Sequence, residues 1–195
     1  VTEKLIEREW LITQGTIDCC KWALRYGISM NIAGGTHHAY PDRGEGFCLL
    51  NDVAVGAEFL LQNKLSKQIL VIDLDVHQGN GTAVVFQNRS EVFTFSMHGK
   101  DNYPLKKEMS DLDISLPTGT GDEEYLRLLD LHLPKLLDSI QPDFLFYISG
   151  VDVLSTDKLG KLGMSMEGCR KRDERVIRTA SERNIPIVIS MGGGY

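Results

Sequence analysis

Ile69-Leu-Val-Ile-Asp-Leu-Asp-Val-His-Gln-Gly-Asn-Gly81 decides how the chain is read. Ile69 to Ile72 is an unbroken apolar run and predicts a buried parallel strand. Asp73, Asp75 and His77 follow at alternate positions, and side chains two apart on a strand share a face. Gly79-Asn80-Gly81 then breaks the strand. Two carboxylates and an imidazole therefore converge at the carboxyl end of a strand, where open α/β sheets bind their ligands. Asp and His suit a divalent metal such as Zn²⁺ or Fe²⁺. Taken alone, the same residues also fit an acidic strand end whose histidine caps a helix.

Working outward, the alternation of patterns continues. Leu5, Ile6, Trp10, Ile17, Cys20, Ala23 and Leu24 recur at helical spacing over residues 2–26, with Gly27 as the stop and Trp10 and Trp22 read as packing residues. A short strand at 29–33 runs into Gly34-Gly35-Thr36-His37-His38. Residues 39–48 read as loop, 51–63 as helix, 82–87 as a short helix, 92–96 as strand and 97–109 as a polar loop. A strand at 112–116 is followed by a capping box, Thr120 with Glu123, and a helix over 122–140 with a kink at Pro134. The strand at 143–149 ends in Gly150-Val-Asp152, a helix with a charged outer face spans 165–184, and the strand at 185–191 ends in Gly192-Gly-Gly-Tyr195. Strand and helix alternate, so the expected fold is α/β, a parallel sheet with helices on both faces. The length of 195 residues fits one domain.

Composition narrows the function. A net charge of -6 argues against direct nucleic-acid binding, and no apolar run approaches membrane-spanning length. Cys19, Cys20, Cys48 and Cys169 form no C-x-x-C pair, which reads as reduced thiols with neither a disulfide framework nor a structural zinc site. No signal peptide is visible, so the expected location is cytoplasmic, or nuclear if the source is eukaryotic.

His37-His38, Asp75 with His77, Asp152 and Tyr195 each follow a different expected strand. In a parallel sheet those ends share one edge, so the groups can meet. Asp75, His77 and Asp152 would give three protein ligands and leave an open position, as a catalytic metal requires. His37 and His38 are candidates for proton transfer near neutral pH, with Asp73 orienting one of them. Tyr195 could donate a hydrogen bond to an oxyanion. Together these parts describe metal-assisted hydrolysis of an amide or similar carbonyl compound.

At this point the sequence resembles the histone deacetylase family, which has the arginase–deacetylase fold. The matching pieces are Gly34-Gly-Thr-His-His38, Asp42-Arg-Gly-Glu-Gly-Phe-Cys48 with Asn51-Asp52, Asp73 to Gly81, Gly150-Val-Asp152 with Asp157-Lys-Leu-Gly160, and Gly192-Gly-Gly-Tyr195. The resemblance implies zinc on Asp75, His77 and Asp152, His38 as general base, His37 as electrostatic partner or acid, and Tyr195 polarising the scissile carbonyl. It implies a narrow acyl-lysine tunnel walled by Gly46 and Phe47. It also implies a structural potassium held by Asp73, Asp75, His77, Ser96 and Met97, partly through carbonyls, and a second near Phe86, Arg89 and Val92.

Gln78-Gly-Asn-Gly81 resembles the class IV branch and bacterial relatives, with Asn80 where class I carries Asp. A neutral amide behind His38 would lower its basicity relative to a carboxylate. Against the family the chain reads as one catalytic domain over residues 1–195 that is incomplete at both ends. The implied substrate is an acyl-lysine protein or peptide, with acyl length open. The alternatives are an acetylpolyamine amidohydrolase, against which Leu159 stands where polyamine-selective relatives carry Glu, and a non-catalytic acyl-lysine reader. An arginase-type dimetal site is disfavoured, because Asp152 is followed by Val153-Leu154 and no further Asp until Asp157.

Overall fold

The computed structural model describes residues 1–195. Its sheet has six parallel strands: β1 (Ile28–Asn31), β2 (Ile69–Asp73), β3 (Val92–Gly99), β4 (Leu112–Leu116), β5 (Phe144–Ile148) and β6 (Ile187–Ser190), in the order β1-β6-β5-β2-β3-β4. Both faces are covered, which is why β2, β5 and β6 are buried along their whole length. Leu70 and Ile72 of β2 point into a core shared with Leu129, Leu133 and Leu137 of α4 (Asp122–Ile140) and Val176 of α5 (Met166–Glu182). Ile69 and Val71 point the other way. They pack with Cys20 and Ala23 of α1 (Glu3–Tyr26), Val53 and Leu60 of α2 (Asp52–Gln62) and Phe86 of α3 (Asn80–Phe86).

The strand order locates the functional edge. After β2 the chain moves to β3 and β4, whereas after β5 it moves to β6 on the other side. The junction of β2 and β5 is thus a topological switch point, where the connections part and open a crevice at the carboxyl ends. No helix is long and apolar enough to cross a membrane. All four cysteines are unpaired.

Several local readings change. Trp10 and Trp22 are not packing residues: they are 63% and 54% exposed, because the buried stripe of α1 runs through Glu9, Ile12, Thr16, Cys20 and Ala23. The Thr120–Glu123 capping box does not form. Gly121 is the N-cap of α4, and the Thr120 hydroxyl turns back to the Pro117 carbonyl. Strand β3 continues to Gly99, since β4 pairs with its second half from Phe95 onward. Helix α3 starts at Asn80, earlier than the Gly-Asn-Gly run suggests. Gly27 does end α1, in the left-handed region at φ 88°.

Ser165 caps α5 through its hydroxyl, which accepts from Gly168 N at 3.0 Å and donates to Asp122 on α4. Ser165→Ala is therefore expected to cost about 1 kcal/mol in urea unfolding. Thr120→Ala should stay within about 0.5 kcal/mol. Equal losses would reinstate the capping box.

Candidate metal centre

The strand β2 ends at Asp73, so Asp75 and His77 do not stand on a strand face as their alternation suggests. They lie on the segment that leaves it, and carboxylates shape that segment. Asp73 Oδ1 accepts from Asp75 N at 3.2 Å, Asp75 Oδ1 from His77 N at 2.8 Å, and Asp152 Oδ1 from Val76 N at 2.9 Å. The turn thus has the i to i+2 form that Asp favours. It brings His77 Nδ1 to 3.0 Å from Asp75 Oδ1 and 3.1 Å from Asp152 Oδ2. One ligand atom each from Asp75, His77 and Asp152 falls within 4.8 Å of the others, and all three residues are buried.

The surroundings fit a divalent cation. A Cβ at Gly193 would stand 2.8 Å from Asp75 Oδ2 and closer still to Asp152 Oδ2; one at Gly150 would stand 2.5 Å from Asp75 Oδ2. The two carboxylates are packed against bare backbone, and Gly193 N donates to Asp75 Oδ2 at 2.7 Å. Burial and the neighbouring Asp75 push Asp152 up to about 7. Burial opposes a charge on His77, but bonds to Asp152 and Asp75 outweigh it and raise the ring to about 10. The cluster draws in positive charge, and its oxygen and nitrogen donors suit Zn²⁺ or Fe²⁺.

The histidine pair follows β1, with ring centroids 4.2 Å apart. Asp52, in the first turn of α2, holds its loop. One of its oxygens accepts from Gly35 N (3.0 Å), Thr36 N (2.8 Å) and Thr36 Oγ1 (2.7 Å), and the other from Thr16 Oγ1 (2.5 Å). His37 Nδ1 lies 2.6 Å from Asp73 Oδ2. Burial works against a charge there, but Asp73 and Asp75 outweigh it and raise His37 to about 9. His38 Nδ1 lies 2.6 Å from Asn80 Oδ1. Burial, then the charge on His37, lowers His38 to about 3, which leaves it neutral at pH 7. The pair is thus split into one cationic and one neutral ring.

Tyr195 follows β6. Its backbone N–H donates to Asp157 Oδ2 at 2.7 Å, while Asp157 Oδ1 accepts from Leu159 N and Gly160 N at 2.8 and 2.7 Å. Burial, then Asp75 and Asp152, push the phenol up to about 12, so it keeps its proton. His38, His77 and Tyr195 line a cavity of about 320 Å³ together with Gly46, Phe47, Tyr103 and Leu159. Phe47 takes a left-handed φ of 68°, unfavourable for a bulky residue, in a tight turn closed by reciprocal bonds between Glu45 and Cys48. That turn presents Phe47 outward, 87% exposed, with its ring 6.4 Å from that of Tyr195. A larger cavity, about 430 Å³ at the amino ends of β1 and β6, has no histidine or carboxylate in its lining.

The other expected positions also fall close together. Asp73 is the register partner of Ser96, next to buried Met97. The Phe86, Arg89 and Val92 segment forms the turn from α3 into β3, where Arg89 N meets Phe86 O at 2.9 Å and Val92 N meets Arg89 O at 3.2 Å.

The outer face of α5 is charged, as its sequence suggests, and Arg172 adds a charge on the inner face. Its side chain is fully buried, and its guanidinium donates to Leu74 O (3.1 Å), Gly150 O (2.6 Å) and Asp173 Oδ1 (2.8 Å). Leu74 directly precedes the candidate donor Asp75, and Gly150 lies two residues before Asp152, so one cation ties both loops from below. Helical spacing carries no signal for the bonds to Leu74 and Gly150, nor for those of Asp52, because these partners are distant in sequence.

The α/β fold thus brings an Asp-His-Asp donor set able to hold a metal, a split histidine pair and a tyrosine together at the switch point. The comparisons then give the family. The histone deacetylase domain matches residues 1–195, and the chain belongs to the histone deacetylase family. It is 46% identical over 191 residues to an uncharacterized protein of Picosynechococcus sp., covering 98% of this chain and 64% of that protein. It is 37% identical to histone deacetylase 2 of Arabidopsis thaliana, covering 93% of this chain and 48% of the relative. For histone deacetylase B of Dictyostelium discoideum the figures are 30%, 87% and 42%. The chain thus spans about 40–65% of these relatives' length.

Gly193→Ala should lower zinc affinity by about 10–100-fold in a chelator-competition titration, because its methyl group displaces both ligand carboxylates. Unchanged affinity would remove the Asp-His-Asp cluster as the metal site.

Proposed function

We propose that the protein is a zinc-dependent hydrolase that removes acetyl or longer acyl groups from lysine side chains of proteins or peptides. The observation that carries this is the 320 Å³ cavity, where a neutral histidine, a protonated tyrosine and the buried donor His77 face one space. A zinc ion on Asp75, His77 and Asp152 would supply Lewis acidity and a water of lowered pKa; Fe²⁺ suits the same donors. The protein's own groups do the rest. Leu159, Phe47 and Gly46 guide an apolar acyl-lysine stem. His38 accepts the proton of the attacking water at Nε2, since Nδ1 is occupied by Asn80. The Tyr195 hydroxyl donates to the carbonyl oxygen as it gains charge. His37, held cationic by Asp73, acts as electrostatic partner or as acid toward the leaving amine. A structural potassium on Asp73, Asp75, His77, Ser96 and Met97, and a second near Phe86, Arg89 and Val92, would neutralise further buried acceptors.

Tyr195→Phe should lower kcat of the full-length protein on acetyl-lysine peptides by about 10²–10³-fold. In a substrate panel, chelator-sensitive turnover of acyl-lysine peptides is expected to exceed turnover of acetylspermidine. The reverse preference would make the protein a polyamine amidohydrolase, and binding without turnover by the metal-loaded protein would make it a reader. Asn80→Asp places a carboxylate beside His38 and favours its imidazolium, so the base stays protonated to higher pH. The acidic limb of the kcat/KM profile should therefore move to higher pH, and an unmoved limb would exclude His38 as the base.

A further inference from the structure

Asn80 gives His38 a partner with two dissimilar ends. Its oxygen can accept from Nδ1–H, or its NH₂ group can donate to a bare Nδ1. Only the first leaves the ring proton on Nδ1 and a lone pair on Nε2. The second puts the proton on Nε2, and the ring can then take up no proton from the cavity side. A carboxylate at position 80 would not face this choice, because both of its oxygens accept.

We infer that Glu45 is a positioning residue for the proton acceptor: it fixes the orientation of the Asn80 amide and thereby the tautomer of His38. The inference rests on the reading of His38 as general base. Asn80 Nδ2 donates to Tyr40 Oη at 3.0 Å and to Glu45 Oε1 at 3.2 Å. A carboxylate only accepts, so a turned amide would set Oδ1 against the oxygen of Glu45. Tyr40 adds to the bias. Its hydroxyl donates to Glu108 Oε1 at 3.2 Å and so offers Asn80 an acceptor. The chain of bonds ends on an acidic group at both limits, and this polarises it in one direction, toward His38 Nδ1–H.

Glu45 is well placed for this role. Tyr103 donates its hydroxyl to Glu45 Oε1, and Arg43 Nε donates to Oε2 at 3.2 Å. These two groups hold the carboxyl below its ordinary range, so it stays ionised. The Tyr103 ring stands edge-on to His38 with centroids 5.0 Å apart. The turn that carries Glu45 also touches the base directly, since a Cβ at Gly46 would stand 2.5 Å from the His38 ring.

The test is the tautomer of His38 in zinc-loaded, full-length protein carrying ¹⁵N-histidine, read from long-range ¹H–¹⁵N spectra and assigned against His38→Gln. The wild type is expected to show one neutral tautomer with the proton on Nδ1. Glu45→Gln supplies a side chain that can both donate and accept, so both tautomers should appear. In that variant kcat should fall about two- to tenfold as the competent form is diluted, with KM little changed. In the Asn80→Asp background the same Glu45→Gln change should leave a single Nδ1–H tautomer. Tyr40→Phe removes the other acceptor and should shift the populations the same way, which keeps the test open if Glu45→Gln fails to fold. An Nε2–H tautomer in the wild type, a single unchanged tautomer in Glu45→Gln, or an equal loss in the Asn80→Asp background would each overturn the inference. The spectra need no turnover. A tautomer shift in a protein that hydrolyses nothing would sustain the positioning role and refute the catalytic reading alone.

Discussion

Three carboxylates, Asp73, Asp75 and Asp152, are buried side by side at the carboxyl edge of the sheet, and their mutual repulsion is the constraint that the surrounding structure answers. Buried charges persist only when paired and hydrogen-bonded. Asp73 has His37, while Asp75 and Asp152 share His77. Backbone amides of His77, Gly193 and Val76 take further lone pairs. The glycines at 150 and 193 let backbone approach where a methyl group would collide. Arg172 lies under both ligand loops and binds their carbonyls, a fixed cation that no change of pH removes. A cation held by Asp75, His77 and Asp152, as proposed, would answer the same repulsion.

The same device holds each functional loop in place. Asp52 gathers the amides before the histidine pair, Asp157 gathers those of Leu159, Gly160 and Tyr195, and Asp73 and Asp75 shape the turn between themselves and His77. In each case side-chain carboxylates accept from backbone amides that lie beyond the strand ends. The sheet register sets where the loops begin, and the carboxylates set where their side chains end. The proposed proton transfer and carbonyl polarisation would need such placement, within fractions of an ångström.

Much of this is legible in the amino-acid sequence. The apolar run at 69–72 and the segments at 143–149 and 185–191 read as strands, and parallel order follows from the helices between them. Chemistry-bearing residues after these three strands and the one at 29–33 had to share an edge, and the four strands prove to be consecutive neighbours in the sheet. Long-range partnership was not legible. Arg172 sits in a strongly charged helix and looks solvent-facing by composition, yet its partners are carbonyls about 20 and 100 residues away. Trp10 and Trp22 look like core by residue type, while the buried stripe of α1 falls on smaller residues. Thr120 and Glu123 have the right spacing for a cap, but the chain reaches α4 through Gly121, and Ser165 of α5 claims Asp122. Pattern gives the elements and their ends; competition among side chains for the same backbone groups is decided in three dimensions.

The proposed metal, the residues that would hold it and the proposed reaction depend on one another. The most direct test strips the full-length protein with a chelator and restores zinc stepwise, following bound metal and hydrolysis of an acetyl-lysine peptide in the same samples. Turnover is expected to rise in proportion to zinc bound up to the equivalence point of the Asp75–His77–Asp152 site, and His77→Ala to abolish both together. Full turnover in the stripped protein, or zinc binding that survives His77→Ala at unchanged affinity, would contradict that expectation.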